Sequence, residues 1–173
     1  SSIFIGIDGG FAPWVGALIA DVKQPILIVA EENKLTETLT RLSRVGFDNT
    51  IGYLEGGLEA WKNAGKQTDS LACITPEAYG KEVENVKTFD VRKPGEYEAE
   101  HVVGASNTPL DFINEHLSDF SDSEMNYLHC KGGYRSVIAA SILKSRGIHN
   151  LTNILEGFDA IRHVVTTENS VTA

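Results

Sequence analysis

The chain has 173 residues, 42% hydrophobic and 23% charged, which suits one ordinary core or two small ones and excludes a disordered composition. A net charge of -9 argues against binding a phosphate backbone, so no nucleic-acid partner is expected. No stretch approaches the roughly 18 apolar residues of a membrane helix, and Cys73 and Cys130 form neither a disulfide framework nor a CxxC metal pair, so we expect no membrane partner, no metal, and a reducing, cytoplasmic setting.

In chain order, Pro25-Ile26-Leu27-Ile28-Val29-Ala30 reads as a buried strand, followed by a polar loop, a helix, Gly46, Asn49, a second strand and Leu54-Glu55-Gly56. Thr75-Pro76-Glu77 combines an N-cap, a Pro at N1 and an acidic first turn, which predicts a short helix. Val86 through Arg92 alternates like a strand, and Pro94-Gly95-Glu96-Tyr97 opens a helical turn. Pro109 through Leu117 is expected to be helical, Met125 through His129 a strand, and Tyr134 through Ser145 a helix stopped by Gly147. Thr166 through Ala173 reads as a frayed tail. Strands alternating with helices predict an α/β fold with a parallel sheet flanked by helices.

Residues 127–161 repeat the order of residues 27–61. Gly147 answers Gly46, Asn150 answers Asn49, and Leu155-Glu156-Gly157 answers Leu54-Glu55-Gly56. The expected organisation is therefore a truncated, degenerate copy over 1–66, a linker over 67–73, and a complete copy over 74–173, with the first copy's opening strand and helix lying upstream.

Cys130 stands between a strand and a helix, where parallel α/β sheets place their ligands. Lys131-Gly132-Gly133-Tyr134 carries two glycines that let the backbone curl its N–H groups into an anion nest. Arg135 and Ser136 open the helix, whose N-terminus favours negative charge. Such a loop suits a thiolate nucleophile and a negatively charged sulfur attached to it. Cys73, without chemical partners, reads as a small buried hydrophobe.

His129-Cys130-Lys131-Gly132-Gly133-Tyr134-Arg135-Ser136 resembles the active-site loop of rhodanese-like sulfurtransferases. Asp90-Val91-Arg92, Glu96-Tyr97 and the run from His101 to Pro109 resemble the family's opening half. The resemblance implies a rhodanese-like fold and a persulfide on catalytic Cys130. Sulfane sulfur would come from thiosulfate or a low-molecular-weight persulfide and pass to a thiol or cyanide. The covalent persulfide would be the intermediate, with no other cofactor. Residues 131–136 would form the persulfide-binding loop, and Asp90 and Arg92 a charged network supporting it. The Gly-Gly-Tyr-Arg-Ser form, with Asp8 through Trp14 in the degenerate copy, is similar to bacterial fusions of a metallo-β-lactamase-fold domain with rhodanese-like domains, akin to persulfide dioxygenases. That likeness implies an upstream domain as partner.

The chain departs from the family at Glu100, Val103, Phe158, and Arg162 or Ile161, which puts substrate shape in question more than chemistry. In the first copy Ala30 falls where Cys130 falls, followed by Glu31 and Glu32, so that copy is expected to be inert. His101 is read as serving the charged network or capping a turn, His129 as structural, and Trp14 and Trp61 as core or interface residues. Two other readings stay open on the sequence alone. A phosphatase-like enzyme would use the same residue types but needs a loop one residue longer. A non-catalytic binding or interface module needs no intact cysteine loop.

Overall fold

The computed structural model describes residues 2–121 and 123–170. They fall into two compact units, residues 5–70 and the chain from residue 71 onward together with residues 2–4.

The first unit runs α1 (Phe11–Leu18), β1 (Ile26–Ile28), α2 (Leu35–Ser43), β2 (Thr50–Tyr53) and α3 (Gly57–Asn63). The two strands pair in parallel. On α2, Thr38 and Leu42 stand four apart and are buried, and Leu42 joins Phe11, Val15, Ile28 and Phe47 in the core. The apolar run at 25–30 predicts a buried strand, and the structure differs. Ile28 is buried, but Leu27 and Val29 are 71% and 58% exposed, as are Ile51 and Tyr53 at 62% and 54%. The helices of this unit cover one face of its small sheet. Trp61, expected in the core or at an interface, is not in the core: it is 40% exposed and donates its indole N–H to the Gln67 carbonyl.

The second unit contains β3 (Ala72–Ile74), α4 (Pro76–Gly80), β4 (Lys87–Asp90), α5 (Pro94–Ala99), β5 (His101–Val102), β6 (Ser106–Asn107), β7 (Asn126–His129), α6 (Tyr134–Ser145), β8 (Leu151–Ile154), α7 (Phe158–Ile161) and β9 (Thr167–Glu168). Five strands form one parallel sheet in the order β3-β8-β7-β4-β6. Every residue of β7 and β8 is buried, as parallel strands covered on both faces require. Tyr127 and Ile154 pack with Tyr79 of α4, Val102, and Phe158 and Ile161 of α7. The Thr75 hydroxyl accepts the Ala78 N–H and caps α4, with Pro76 in its first turn. The last turn of α6 closes on Gly147 at φ +95°, after which the Ile148 N–H returns to the Leu143 carbonyl.

Four sequence expectations need correction in this unit. The linker expected over 67–73 ends early, because Ala72 and Cys73 lie in β3, paired with Thr152 and Asn153 of β8. Cys73 is exposed on that edge strand, not buried. The segment after Pro109 is a 3-10 turn over Leu110–Glu115, broken at Phe112 (φ -121°, ψ 18°), instead of an α-helix. The tail is ordered at least to Ser170: β9 pairs antiparallel with β5, and the Ser170 N–H donates to the Glu98 carbonyl. Residues 171–173 of the expected tail lie outside the described residues.

Candidate active site

Strand β7 ends at His129, and Cys130 comes next at the carboxyl edge of the sheet, 1% exposed. The loop turns through Gly133, whose φ of +89° favours glycine, directly into α6. Its other side is fixed from across the sheet. The Phe158 N–H donates to the Cys130 carbonyl (2.7 Å) and the Asp159 N–H to the Lys131 carbonyl (3.1 Å). Those donors are delivered by Gly157, at φ +62° and ψ -158°, a region essentially confined to glycine. A Cβ there would fall 2.5 Å from the Lys131 carbonyl oxygen and nearer still to that of Cys130. The Leu-Glu-Gly repeat seen in the sequence thus serves a close backbone contact with the cysteine loop. The first unit differs here: a Cβ on Gly56, which answers Gly157, would meet Ala60, and it is the next residue, Gly57, whose Cβ would lie 3.2 Å from the Ala30 carbonyl oxygen.

Beneath the loop sits a buried ion pair. The Arg92 Nε and Nη2 donate to Asp90 Oδ2 at 2.8 and 2.6 Å, and the Arg92 backbone N–H donates to Asp90 Oδ1 at 2.9 Å. Both side chains are almost wholly out of solvent. Asn107 donates to the backbone carbonyls of both residues, and Arg92 Nη2 also reaches the Glu100 carbonyl at 2.7 Å. The Arg92 guanidinium lies over the Phe158 ring, 3.9 Å from its centroid, so the pair is tied to the segment that pins Cys130. The Val91 N–H donates to the His129 carbonyl, which links this strand to the base of the loop.

Arg135 does not end at the cysteine. Its guanidinium grips Glu96 in a two-pronged pair, Nη1 to Oε2 at 2.6 Å and Nη2 to Oε1 at 2.8 Å. Glu96 is the site residue that sequence reading passed over. It belongs to the capping box of α5, where its Oε2 also accepts the Lys93 N–H. Arg135 beside it, ahead of the other contributions, holds its carboxyl down at about 2. The Arg135 guanidinium is held above its ordinary range by Glu96 in turn.

The remaining loop residues take distinct places. Lys131 and Gly132 are exposed, Gly133 and Tyr134 half-buried, and Ser136 buried. The Ser136 hydroxyl donates to the Gly133 carbonyl, bracing the turn that leads into α6. His129 is fully buried, with Nδ1 3.3 Å from the Cys130 carbonyl oxygen and 3.9 Å from Asp90 Oδ1. Burial pushes its imidazole below the usual range, so it sits neutral. His101 stacks on Tyr97 with ring centroids 3.8 Å apart, and its Nε2 lies 3.5 Å from Glu168 of β9, so its contacts brace α5 and β9. A cleft of about 240 Å³ opens beside Lys131, with Arg92, Glu96, Glu100, Phe158 and Arg162 among its lining residues.

A parallel α/β sheet with a cysteine at its carboxyl edge, a glycine turn and a helix N-terminus defines a class of thiol-based anion sites. The rhodanese-like domain family model matches residues 75–163 of the chain. The chain belongs to that family, which is one of sulfur transfer. An 88-residue stretch is 31% identical to YqhL, an uncharacterised protein of Bacillus subtilis (strain 168), covering 51% of this chain and 70% of that protein. A 106-residue stretch is 29% identical to the same organism's "Putative sulfur carrier protein YrkF", covering 60% of this chain and 55% of that protein. Among solved structures, a rhodanese-like domain protein from Staphylococcus aureus is 28% identical with a TM-score of 0.50, covering 53% of this chain and 91% of that one. A rhodanese-related protein from Thermoplasma volcanium shares the fold at 18% identity and a TM-score of 0.52, covering 56% of this chain and 97% of that one.

Proposed function

We propose that the chain is a sulfurtransferase in which the Cys130 thiolate takes a sulfane sulfur from thiosulfate or a low-molecular-weight persulfide. It holds that sulfur as a persulfide and passes it to a thiol or cyanide. The observation that carries this reading is the fixed loop: carbonyls of Cys130 and Lys131 pinned by Phe158 and Asp159, and a left-handed Gly133 turning the chain into α6. Pinning the carbonyls outward leaves the opposite side of the peptide groups, and the first N–H groups of α6, for an anion. In loading, the Cys130 thiolate attacks the donor's outer sulfur. One S–S bond forms as another breaks, and the donor's remaining sulfur leaves with the electron pair. In discharge the acceptor's thiolate sulfur, or cyanide through its carbon, bonds the outer sulfur as the S–S bond to Cys130 breaks, and Cys130 leaves as thiolate.

The same reading takes residues 1–66, most of which lie in the first unit, as an inert, degenerate relative of the second unit. Their parallel strands joined through a helix, with Ala30 in the nucleophile's place, support it. It also takes the chain as cytoplasmic and as the C-terminal region of a fusion with a metallo-β-lactamase-fold domain, on the strength of the sequence resemblance. Among the described residues no helix is long and apolar enough to cross a membrane.

The experiment is intact-protein mass spectrometry after incubation with thiosulfate or glutathione persulfide, looking for a one-sulfur adduct that disappears in Cys130→Ser. The second reading, a non-catalytic interface module, draws on the 1% exposure of Cys130. No adduct and no thiocyanate formed from cyanide would decide for that module.

A further inference from the structure

The cleft beside Lys131 has an unusual charge balance. Its lining holds three cations, Arg92, Lys131 and Arg162, and three carboxylates, Glu96, Glu100 and Asp159. Four of the six are already engaged: Arg92 with Asp90, Glu96 with Arg135, and Arg162 with Glu100 at 2.6 Å. Lys131 and Asp159 are exposed, and neither has a side-chain partner among the described residues. They are backbone neighbours through the Asp159 N–H to Lys131 carbonyl bond. One free ammonium and one free carboxylate therefore stand in the same small cleft, next in the chain to Cys130 and to Phe158.

We propose that this cleft takes the zwitterionic head of an amino-acid thiol, with Lys131 holding its carboxylate and Asp159 its ammonium. This rests on the sulfur-transfer reading of Cys130 and names its acceptor class. An inorganic dianion would gain from Lys131 but meet the Asp159 carboxylate, whereas a zwitterion satisfies both. Phe158 also lines the cleft, and its N–H is bonded to the Cys130 carbonyl, which keeps the cleft beside the cysteine loop. At about 240 Å³ the cleft is smaller than the roughly 300–1,000 Å³ of drug-sized sites, which suits an amino acid. In the transfer step the acceptor thiol loses its proton to solvent and its thiolate attacks the outer sulfur of the Cys130 persulfide. A new S–S bond forms, the old one breaks, and its electron pair returns to Cys130 as thiolate. The product is the amino acid's persulfide, and no outside oxidant or reductant enters.

Two measurements test this. The first loads the full chain with persulfide and follows its discharge by cysteine, by cysteamine, which lacks the carboxylate, and by 3-mercaptopropionate, which lacks the ammonium. Cysteine should be about tenfold better in kcat/KM than either analogue, the size of one charge-assisted contact. Lys131→Ala should erase the preference over cysteamine, and Asp159→Ala the preference over 3-mercaptopropionate. The second titrates Cys130→Ser with S-methylcysteine and with the two matching thioethers that lack one charge, following the heat of binding. The same order and the same loss with each variant are expected. Equal discharge by all three thiols from a loaded Cys130, or equal or absent binding of the three thioethers, overturns this inference alone. A persulfide that never forms defeats the sulfur-transfer reading instead, and the titration still decides whether the cleft recognises zwitterions.

Discussion

Gly157 lies so close to Cys130 that a single added carbon would collide with the carbonyl oxygens of Cys130 and Lys131. That contact holds the loop at the sheet edge through the Phe158 and Asp159 N–H groups. Gly157→Ala should therefore cost at least about 2 kcal/mol, from a backbone region closed to other residues and from the displaced loop. Persulfide loading of Cys130 should fall further than stability alone explains. Urea unfolding gives the first quantity and mass spectrometry of the loaded protein the second. A fully stable variant that loads normally would mean the contact has no such role.

The Asp90–Arg92 pair is buried and satisfied by the backbone around it. Removing one partner leaves the other charged and out of water. Asp90→Ala or Arg92→Ala should each cost about 3–5 kcal/mol, and the double variant clearly less than the sum. A double-mutant cycle by urea denaturation measures the coupling. Strict additivity would show that the two charges are not stabilising each other.

Glu96 sets a pH limit on the site. Its carboxyl is held at about 2 against an ordinary 4.5, first by the Arg135 hydrogen bonds. A carboxyl lowered in the folded state contributes stability that is full above the unfolded value and is lost as pH falls through the folded one. The stability difference between the protein and Glu96→Gln should thus be constant above pH about 4.5 and shrink between there and about 2. Urea midpoints for both proteins across that range read it directly. A gap that stays the same at the acid end would detach Glu96 from Arg135.

Much of this architecture is legible in the residues themselves, for local reasons. Cys130, Gly133 and α6 succeed one another in the chain, so strand, turn and helix signals mark the loop together. Thr75-Pro76 and Gly147 announce helix ends by their own chemistry. The partners from afar were not legible. Glu96 is 39 residues from Arg135, and its visible signal, three residues after the Lys93 cap, reports a helix start and nothing about a tertiary grip. The two residues of β9 carry no strand pattern, and only their pairing with β5 makes them one. Gly157 was visible as a repeat, but its purpose depends on how closely another segment approaches. Leu27 and Val29 look like core because hydrophobicity does not say which face is covered.

The first unit tests how much of the site is loop and how much is cysteine. Ala30 follows β1 much as Cys130 follows β7, but Gly56, which answers Gly157, faces Ala60, and only its neighbour Gly57 comes near the Ala30 carbonyl, less closely than Gly157 comes to that of Cys130. The loops differ further. The chain passes through Glu31 into a 3-10 turn at Glu32–Lys34, and α2 begins after Lys34 in an ordinary right-handed conformation, with no left-handed glycine to turn N–H groups toward an anion. The Lys34 ammonium is already engaged, 3.1 Å from Asp8 and 3.6 Å from Glu37. Glu31 and Glu32 add negative charge where a persulfide would carry its own. An Ala30→Cys, Cys130→Ser double variant should therefore fold, give no one-sulfur adduct at position 30 and form no thiocyanate from thiosulfate and cyanide. Peptide-level mass spectrometry separates position 30 from Cys73. Sulfur transfer comparable with the unmodified protein would mean that a strand-end cysteine suffices and that the glycine turn after Cys130 is dispensable.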